Sequence, residues 1–322
     1  MLQNQHYIPK FLLKNFVDTD GRMFCFNTRT NSIKKLPPKN AGSHLNFYEF
    51  SIHGKIVSFE DKLQIIETKS APAFHKIINS NSLSNMTNED RMFIADFVTA
   101  QSFRTKAFRK GLLDVEDNKI GETFEQLWES AFIISSNIKN RKWLLMKIEH
   151  DDIFYLGDQP VVLQNTENPS KAQSLGLDIK GVEAFLPLTP KLALYMPCKS
   201  TSDGIISGIE NGRNTLDFFK SAKANGAYPI DKHIYTLGKI KYLLEKNKGF
   251  YNAITTGIPL VCIQENIDNL NYLQCAFSHE NIFSNRPDFS FAKHVLTKTP
   301  QYRETMKTNI LHLGNILHPI NS

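Results

Sequence analysis

Residues 120–163, IGETFEQLWESAFIISSNIKNRKWLLMKIEHDDIFYLGDQPVVL, contain the change of hydrophobic period that decides the fold class. As far as Ile138, the apolar residues Phe124, Leu127, Trp128, Ala131 and Ile134 recur at steps of three and four, which is one face of a helix. After Lys142 the period is lost. Lys142 to Ile148 and Ile153 to Leu156 are short apolar runs around the polar turn Glu149 to Asp152, and they read as two strands of a hairpin.

Upstream of this switch the chain reads mainly as helix. Thr87 caps a helix, with Asp90 at its third position, that is expected to continue past Phe108. Before it, Ser58 is expected to cap a helix carrying Phe59, Leu63, Ile66 and Phe74, which Pro72 should kink or restart. Two hairpins precede that: Met23 to Phe26 with Ile33 to Leu36, and Asn46 to Phe50 with Lys55 to Val57. A short helix begins at Pro9. Downstream, strands are expected at Val161 to Leu163, Ala184 to Leu186 and Leu192 to Met196, and helices at Thr215 to Ala224 and Asn266 to Phe277. Asn165 to Gly181 reads as a linker-like loop, and no repeat is present. The order predicts an α+β fold, a helix-rich N-terminal half packed on a mainly antiparallel central sheet with C-terminal helices. The expected division is a hairpin and helical lobe at 1–140 and a strand-rich lobe at 141–322, joined in one unit.

Composition narrows the class of partner. In 322 residues, 41% hydrophobic content supports a sizeable core, and a formal net charge of +6 permits an anionic partner without resembling a dedicated nucleic-acid tail. Cys25, Cys198, Cys262 and Cys275 lie far apart, which suggests neither a zinc ribbon nor a disulfide framework and suits a cytoplasmic location. No apolar run reaches membrane-spanning length. The P-loop, Rossmann, zincin and nucleophile-elbow signatures are absent.

The residues that carry chemistry are polar ones set into apolar stripes. Steps of three and four from Phe93 give Phe97, Gln101, Arg104 and Phe108, which points an amide and a guanidinium inward. A buried guanidinium needs a partner, and Glu67 interrupts the preceding stripe of Leu63, Ser70 and Phe74 in the same manner. Asp158 stands at a break between apolar runs, where either a catalytic carboxylate or an ordinary turn fits. His6, among aromatic and apolar neighbours, is placed for proton exchange. Basic residues cluster at 29–39, 104–110, 139–147 and 232–248, and Lys106 and Arg109 are the expected holders of an anionic substrate. Solvated helix faces would produce the same clusters.

QHYIPKFLLKNF, FYEF, FEDKLQIIETKSAPAFHKI, FIADFVTAQSFRTKAFR, FYLGDQPVVL, FLPLTPKLALYM and LNYLQCAF occur in an order that resembles the bacterial domain-of-unknown-function 4238 family, over about residues 5 to 290. The family's motif positions fall on His6, Pro9, Glu67, Gln101, Arg104, Asp158, Pro160 and Asn271, and Asn271 joins Lys106 and Arg109 as an expected substrate-binding residue. Gly157 stands where the family usually has a serine. The resemblance implies a bacterial protein with a place among single-gene defences against bacteriophage; it brings no settled activity.

These readings lead to an expected enzyme, a nuclease or another phosphodiester-directed hydrolase. His6 would transfer a proton, Arg104 and Gln101 would bind the anionic centre, and Asp158 and Glu67 would orient partners or hold Mg²⁺ or Mn²⁺. The alternative is a non-catalytic sensor that recognises nucleic acid or a phage component, with the same residues as internal braces. A nucleotide-binding regulator is the third reading.

Overall fold

A computed structural model of the chain describes residues 4–113, 120–167, 176–225 and 234–300. Its N-terminal strand β1 (Asn4–His6) precedes a helical turn α1 (Lys10–Leu13) and the hairpin of β2 (Met23–Asn27) and β3 (Ser32–Leu36). A short β4 (Ser43–Leu45) returns to pair with β1, His6 opposite Ser43. Beyond the ladder, Tyr7 and Ile8 both donate their N–H to the carbonyl of Gly42. Gly42 has φ +60°, and a Cβ there would lie 2.9 Å from that of Ile8. The second hairpin, β5 (Glu49–Ile52) and β6 (Lys55–Ser58), turns at His53 and Gly54, both at positive φ.

Three helices then stack side by side: α2 (Glu60–Ser80), α3 (Asn88–Phe103) and, after the short α4 (Lys106–Leu113), α5 (Ile120–Asn140). Thr87 and Asp90 form the expected reciprocal cap of α3. Two boundaries differ from the sequence reading. Phe59, not Ser58, occupies the cap position of α2, and that helix passes through Pro72 without interruption. The Thr87 helix stops at Phe103 instead of running past Phe108. Thr105 starts α4 by accepting the N–H of Phe108, and Arg104 between them takes φ −98°, ψ +16°.

The remaining strands form two sheets. One has the order β12 (Leu260–Val261), β7 (Leu144–Lys147), β11 (Leu192–Met196), β10 (Val182–Thr189), β9 (Val162–Asn165), and is antiparallel except at β12–β7. The other is β3-β2-β13-β8, with β13 (Asn281–Ser284) pairing β2 and the two-residue β8 (Leu156–Gly157). The hairpin expected at 142–156 is therefore not formed, because β7 and β8 lie in different sheets. Between them, Phe154 donates to the carbonyl of Pro190 and Tyr155 to the side chain of Asn271.

Helix α6 runs over Lys199–Ala224, well before the expected start at Thr215, and α7 (Ile234–Thr256) was not expected. Helices α8 (Gln264–Phe277) and α9 (Ser290–Lys298) close the described chain. Of the expected loop at 165–181, residues 168–175 lie outside the described residues. The largest core joins Leu63, Phe97 and Ile138 of the helices to Leu145, Leu186 and Leu194 of the five-stranded sheet. The fold is α+β, as the change of period predicts.

Candidate functional site

Gln101 and Arg104 lie three residues apart at the end of α3, so their side chains leave on one side, toward β1. Gln101 Nε2 donates to the carbonyl of Tyr7 at 2.9 Å. Arg104 Nη2 donates to Glu67 Oε1 at 2.7 Å and to the carbonyl of His6 at 3.3 Å. The same His6 carbonyl accepts from the hydroxyl of Tyr48 at 3.2 Å, and Tyr48's backbone N–H donates to the side chain of Gln5. Arg104 is 1% exposed and the Glu67 side chain 27%. The predicted ion pair is formed, buried at one end and open at the other.

This cluster is not saturated. Among the described residues, seven buried side-chain polar atoms have no hydrogen-bond partner, and three belong here: His6 Nε2, Gln101 Oε1 and Arg104 Nε. They comprise a donor, an acceptor and a ring nitrogen that serves as either. Burial, and then the charge of Lys10, push the His6 imidazole down to about 4, against the backbone carbonyls of Lys39 and Pro38. Those carbonyls favour a ring N–H, and Nε2 has no partner. Nε2 is thus left to donate or to accept according to the tautomer. Burial opposes the charge of Arg104, but the Glu67 carboxylate hydrogen-bonded to it keeps the guanidinium charged.

Two members were not read from the sequence. Glu60 lies two turns from Glu67 on α2, and burial followed by the Glu67 charge raises its carboxyl. The i, i+7 spacing of the two carboxylates was the available signal. Tyr48, fully buried in the β4–β5 connection, bridges β1 to Arg104 by donating also to the Arg104 carbonyl at 3.3 Å.

Asp158 belongs to a different construction. Its carboxylate accepts from the backbone N–H of His279 (2.6 Å), Glu280 (2.8 Å) and Asn281 (2.9 Å), and from the Ser278 hydroxyl (3.2 Å). Burial pushes this carboxyl up to about 6, against those four hydrogen bonds. Asn271, implied by the resemblance, bridges the Ile153 carbonyl and the Tyr155 N–H from α8, each at 2.8 Å. Gln274, one turn on, bridges the Pro160 carbonyl (3.1 Å) and the Gly157 N–H (2.7 Å). The side chains of α8 and Asp158 thus splint 153–160 to the loop before β13. No hydrogen bond or ion pair among the described residues joins Asp158 to His6, Glu67, Gln101 or Arg104. Tyr7 stands between the groups, its phenol raised by burial and by the charges of Asp158 and Glu280.

Arg109 is held inward, donating to the carbonyl of Phe47 and stacking on Phe47 and Phe50. Lys106 pairs with Glu280 at 3.4 Å over the ring of Tyr7, beside a cavity of about 320 Å³ that Tyr7, Cys25, Lys34 and Asn281 also line. Among the described residues no group of three or more His, Cys, Asp or Glu side chains converges on a point that would hold a metal ion. Glu67 is engaged by Arg104 and Asp158 by backbone N–H groups, so the residues expected to ligate Mg²⁺ or Mn²⁺ do not fit that role.

No described helix is long and apolar enough to cross a membrane. A family model described as a protein of unknown function, DUF4238, matches residues 4–288. Neither a curated protein nor a solved structure matches the chain.

Proposed function

Since the chain belongs to the DUF4238 family, whose description assigns no activity, we propose from the site's own chemistry that it is a phosphodiester-directed hydrolase, acting on RNA without a metal ion. The supporting observation is the set of unsatisfied atoms on His6, Gln101 and Arg104 beside the Glu67–Arg104 pair. In this reading His6 Nε2 takes the proton of the ribose 2′-hydroxyl as its oxygen attacks phosphorus, and Arg104 balances the charge that develops on the phosphoryl oxygens. Glu60, whose carboxyl is held toward its protonated form, supplies the proton to the departing 5′ oxygen. Glu67 fixes the guanidinium, and Gln101 Oε1 accepts from a sugar hydroxyl. The substrate approaches from the side where His6 and Glu67 reach solvent. An anion beside His6 would raise the ring from about 4 toward a more useful basicity. On the strength of the family resemblance we assign the activity to defence against bacteriophage.

A second reading is favoured by the bonds themselves. Gln101, Arg104 and Tyr48 all donate to backbone carbonyls of His6 and Tyr7, as they would in a sensor that uses this cluster to fasten its N-terminus. One comparison separates the two. Purified protein is incubated with tRNA, total RNA and DNA, with Mg²⁺ and with a chelator, beside His6→Gln and Arg104→Ala. The hydrolase reading expects RNA to be cut in chelator, and the activity to be lost in His6→Gln at an unchanged Tm. If no substrate is cut while Arg104→Ala melts far earlier than the parent, the bracing reading stands.

A further inference from the structure

A cavity of about 530 Å³ opens where the α2–α3 loop, the end of α5, the start of β7 and the end of α7 meet. It involves the basic cluster around 139–147, which the proposed chemistry leaves unused. Arg91, Lys139, Arg141 and Lys142 line it, and among its described lining residues there is no aspartate or glutamate.

The two guanidinium groups are fixed in place. Arg91 Nη2 donates to the carbonyls of Lys139 (3.0 Å) and Arg141 (2.8 Å), and its guanidinium lies 4.0 Å from the ring centre of Trp143. Arg141 Nη1 donates to the carbonyl of Val182 at 2.8 Å. Burial works against the charge of both. Lys139 is half-buried and Lys142 exposed.

Cations gathered at a helix C-terminus are often explained by the helix dipole alone. Here α5 and α7 both end at the cavity, which contributes a charge of about −0.5 each. Arg141 is turned to the carbonyls of Leu177, Val182 and Met196 and toward the charges of Asp178 and Glu183, so Arg91, Lys139 and Lys142 are the cations to be balanced. Roughly two positive charges remain without a counterpart among the described residues. The acidic first turn of α3 does not supply it: Asp90 is engaged in its cap with Thr87 and paired with Lys76 at 2.7 Å, and Glu89 is exposed away from the lining.

We infer that this cavity is a binding site for a small phosphorylated molecule of up to nucleotide size, whose phosphate groups sit between Lys139, Lys142 and the fixed guanidinium of Arg91. A monocarboxylate would leave about half of the charge unbalanced, whereas one or two phosphates match it. A nucleic-acid strand is disfavoured because the site has no stacking platform. Trp143 is 3% exposed, and Arg91 covers its face. The volume lies in the range of small-ligand pockets.

The test measures binding of pyrophosphate, the four common ribonucleoside triphosphates and a single-stranded DNA oligonucleotide in magnesium-free buffer, by calorimetry with parallel melting curves. The parent should bind pyrophosphate or a triphosphate saturably. Lys139→Gln/Lys142→Gln, at an unchanged ligand-free Tm, should lose about tenfold in affinity per lysine removed. His6→Gln should bind as the parent does, which separates this site from the proposed catalytic cluster. Absence of binding by the parent, equal binding by the double variant, loss of binding in His6→Gln, or binding of the oligonucleotide alone would each overturn the inference.

Discussion

Helix α3 and helix α8 each use polar side chains to hold a piece of chain that has only a short ladder of its own, and they differ in what is left over. At α8, Asn271 and Gln274 use both ends of their amides on 153–160, and Asp158 accepts four hydrogen bonds from 278–281. At α3, Gln101 and Arg104 hold the carbonyls of Tyr7 and His6 but leave Gln101 Oε1, Arg104 Nε and the adjacent His6 Nε2 unpaired. Leaving a buried polar atom unpaired costs about 1 to 3 kcal/mol. The segment held by α8 keeps one such atom, Gln159 Oε1, and the α3 cluster three. On the proposed reading the less saturated cluster is kept for a ligand and the α8 splint is architecture. Substitutions at the two places test that division.

The largest loss of stability is expected at the saturated splint. Asp158→Ala strands three backbone N–H groups, while the Ser278 hydroxyl keeps the Asn281 carbonyl, so chemical denaturation should show a loss above about 3 kcal/mol. A value under about 1 kcal/mol would mean that the 278–281 loop holds its shape unaided, and Asp158 would return to the list of free carboxylates. Asn271→Ala removes two hydrogen bonds to the Tyr155 N–H and the Ile153 carbonyl, with an expected cost of about 2 kcal/mol by the same measurement.

Next comes the half-open pair. Removing one partner of a fully buried ion pair costs about 3 to 5 kcal/mol, but the Glu67 side chain is 27% exposed, so water would solvate part of what Glu67→Ala leaves behind. The expected loss is about 1 to 2 kcal/mol, below that of Asp158→Ala, with RNA cleavage abolished. Equal losses at the two positions would erase the contrast between them.

The pairing of Glu67 with Arg104 was legible in the sequence because each interrupts an otherwise apolar stripe, and two such interruptions on neighbouring helices must answer one another. Asp158 was ambiguous for a physical reason: its partners are backbone N–H groups about 120 positions away, and backbone atoms leave no trace in residue identity. Asn271 and Gln274 look like any polar helix face until the segment they splint is in place. The false hairpin at 142–156 has the same origin, since apolar runs of equal length around a turn pair locally only when no better partner exists. Here Leu144 to Lys147 pairs with Leu192 to Tyr195 instead. Helices α6 and α7 escaped full notice because most of their length packs only against each other. Ser202 and Ile209 are the buried residues of α6, too few to mark a stripe.

The smallest effect is expected at His6, and it sharpens the comparison most. His6→Gln removes a ring whose Nε2 has no partner to lose, so at pH 7.5 its stability should stay within about 1 kcal/mol of the parent. Acidification should separate the two. In the folded protein the ring sits at about 4, below the ordinary 6.5 that it recovers on unfolding, so the unfolded chain takes up a proton that the folded one refuses. The parent's stability relative to His6→Gln should therefore be constant above about pH 6.5 and decline as pH falls toward about 4, by on the order of 1 kcal/mol once solvent screening of a half-buried group is allowed for. Asp158, raised to about 6, and His279, lowered to about 4, titrate in the same interval, but they are present in both proteins and cancel in the difference. A difference that stays flat from pH 7.5 to 4 would mean that His6 is freely solvated, and the unsaturated cluster would lose its proton acceptor.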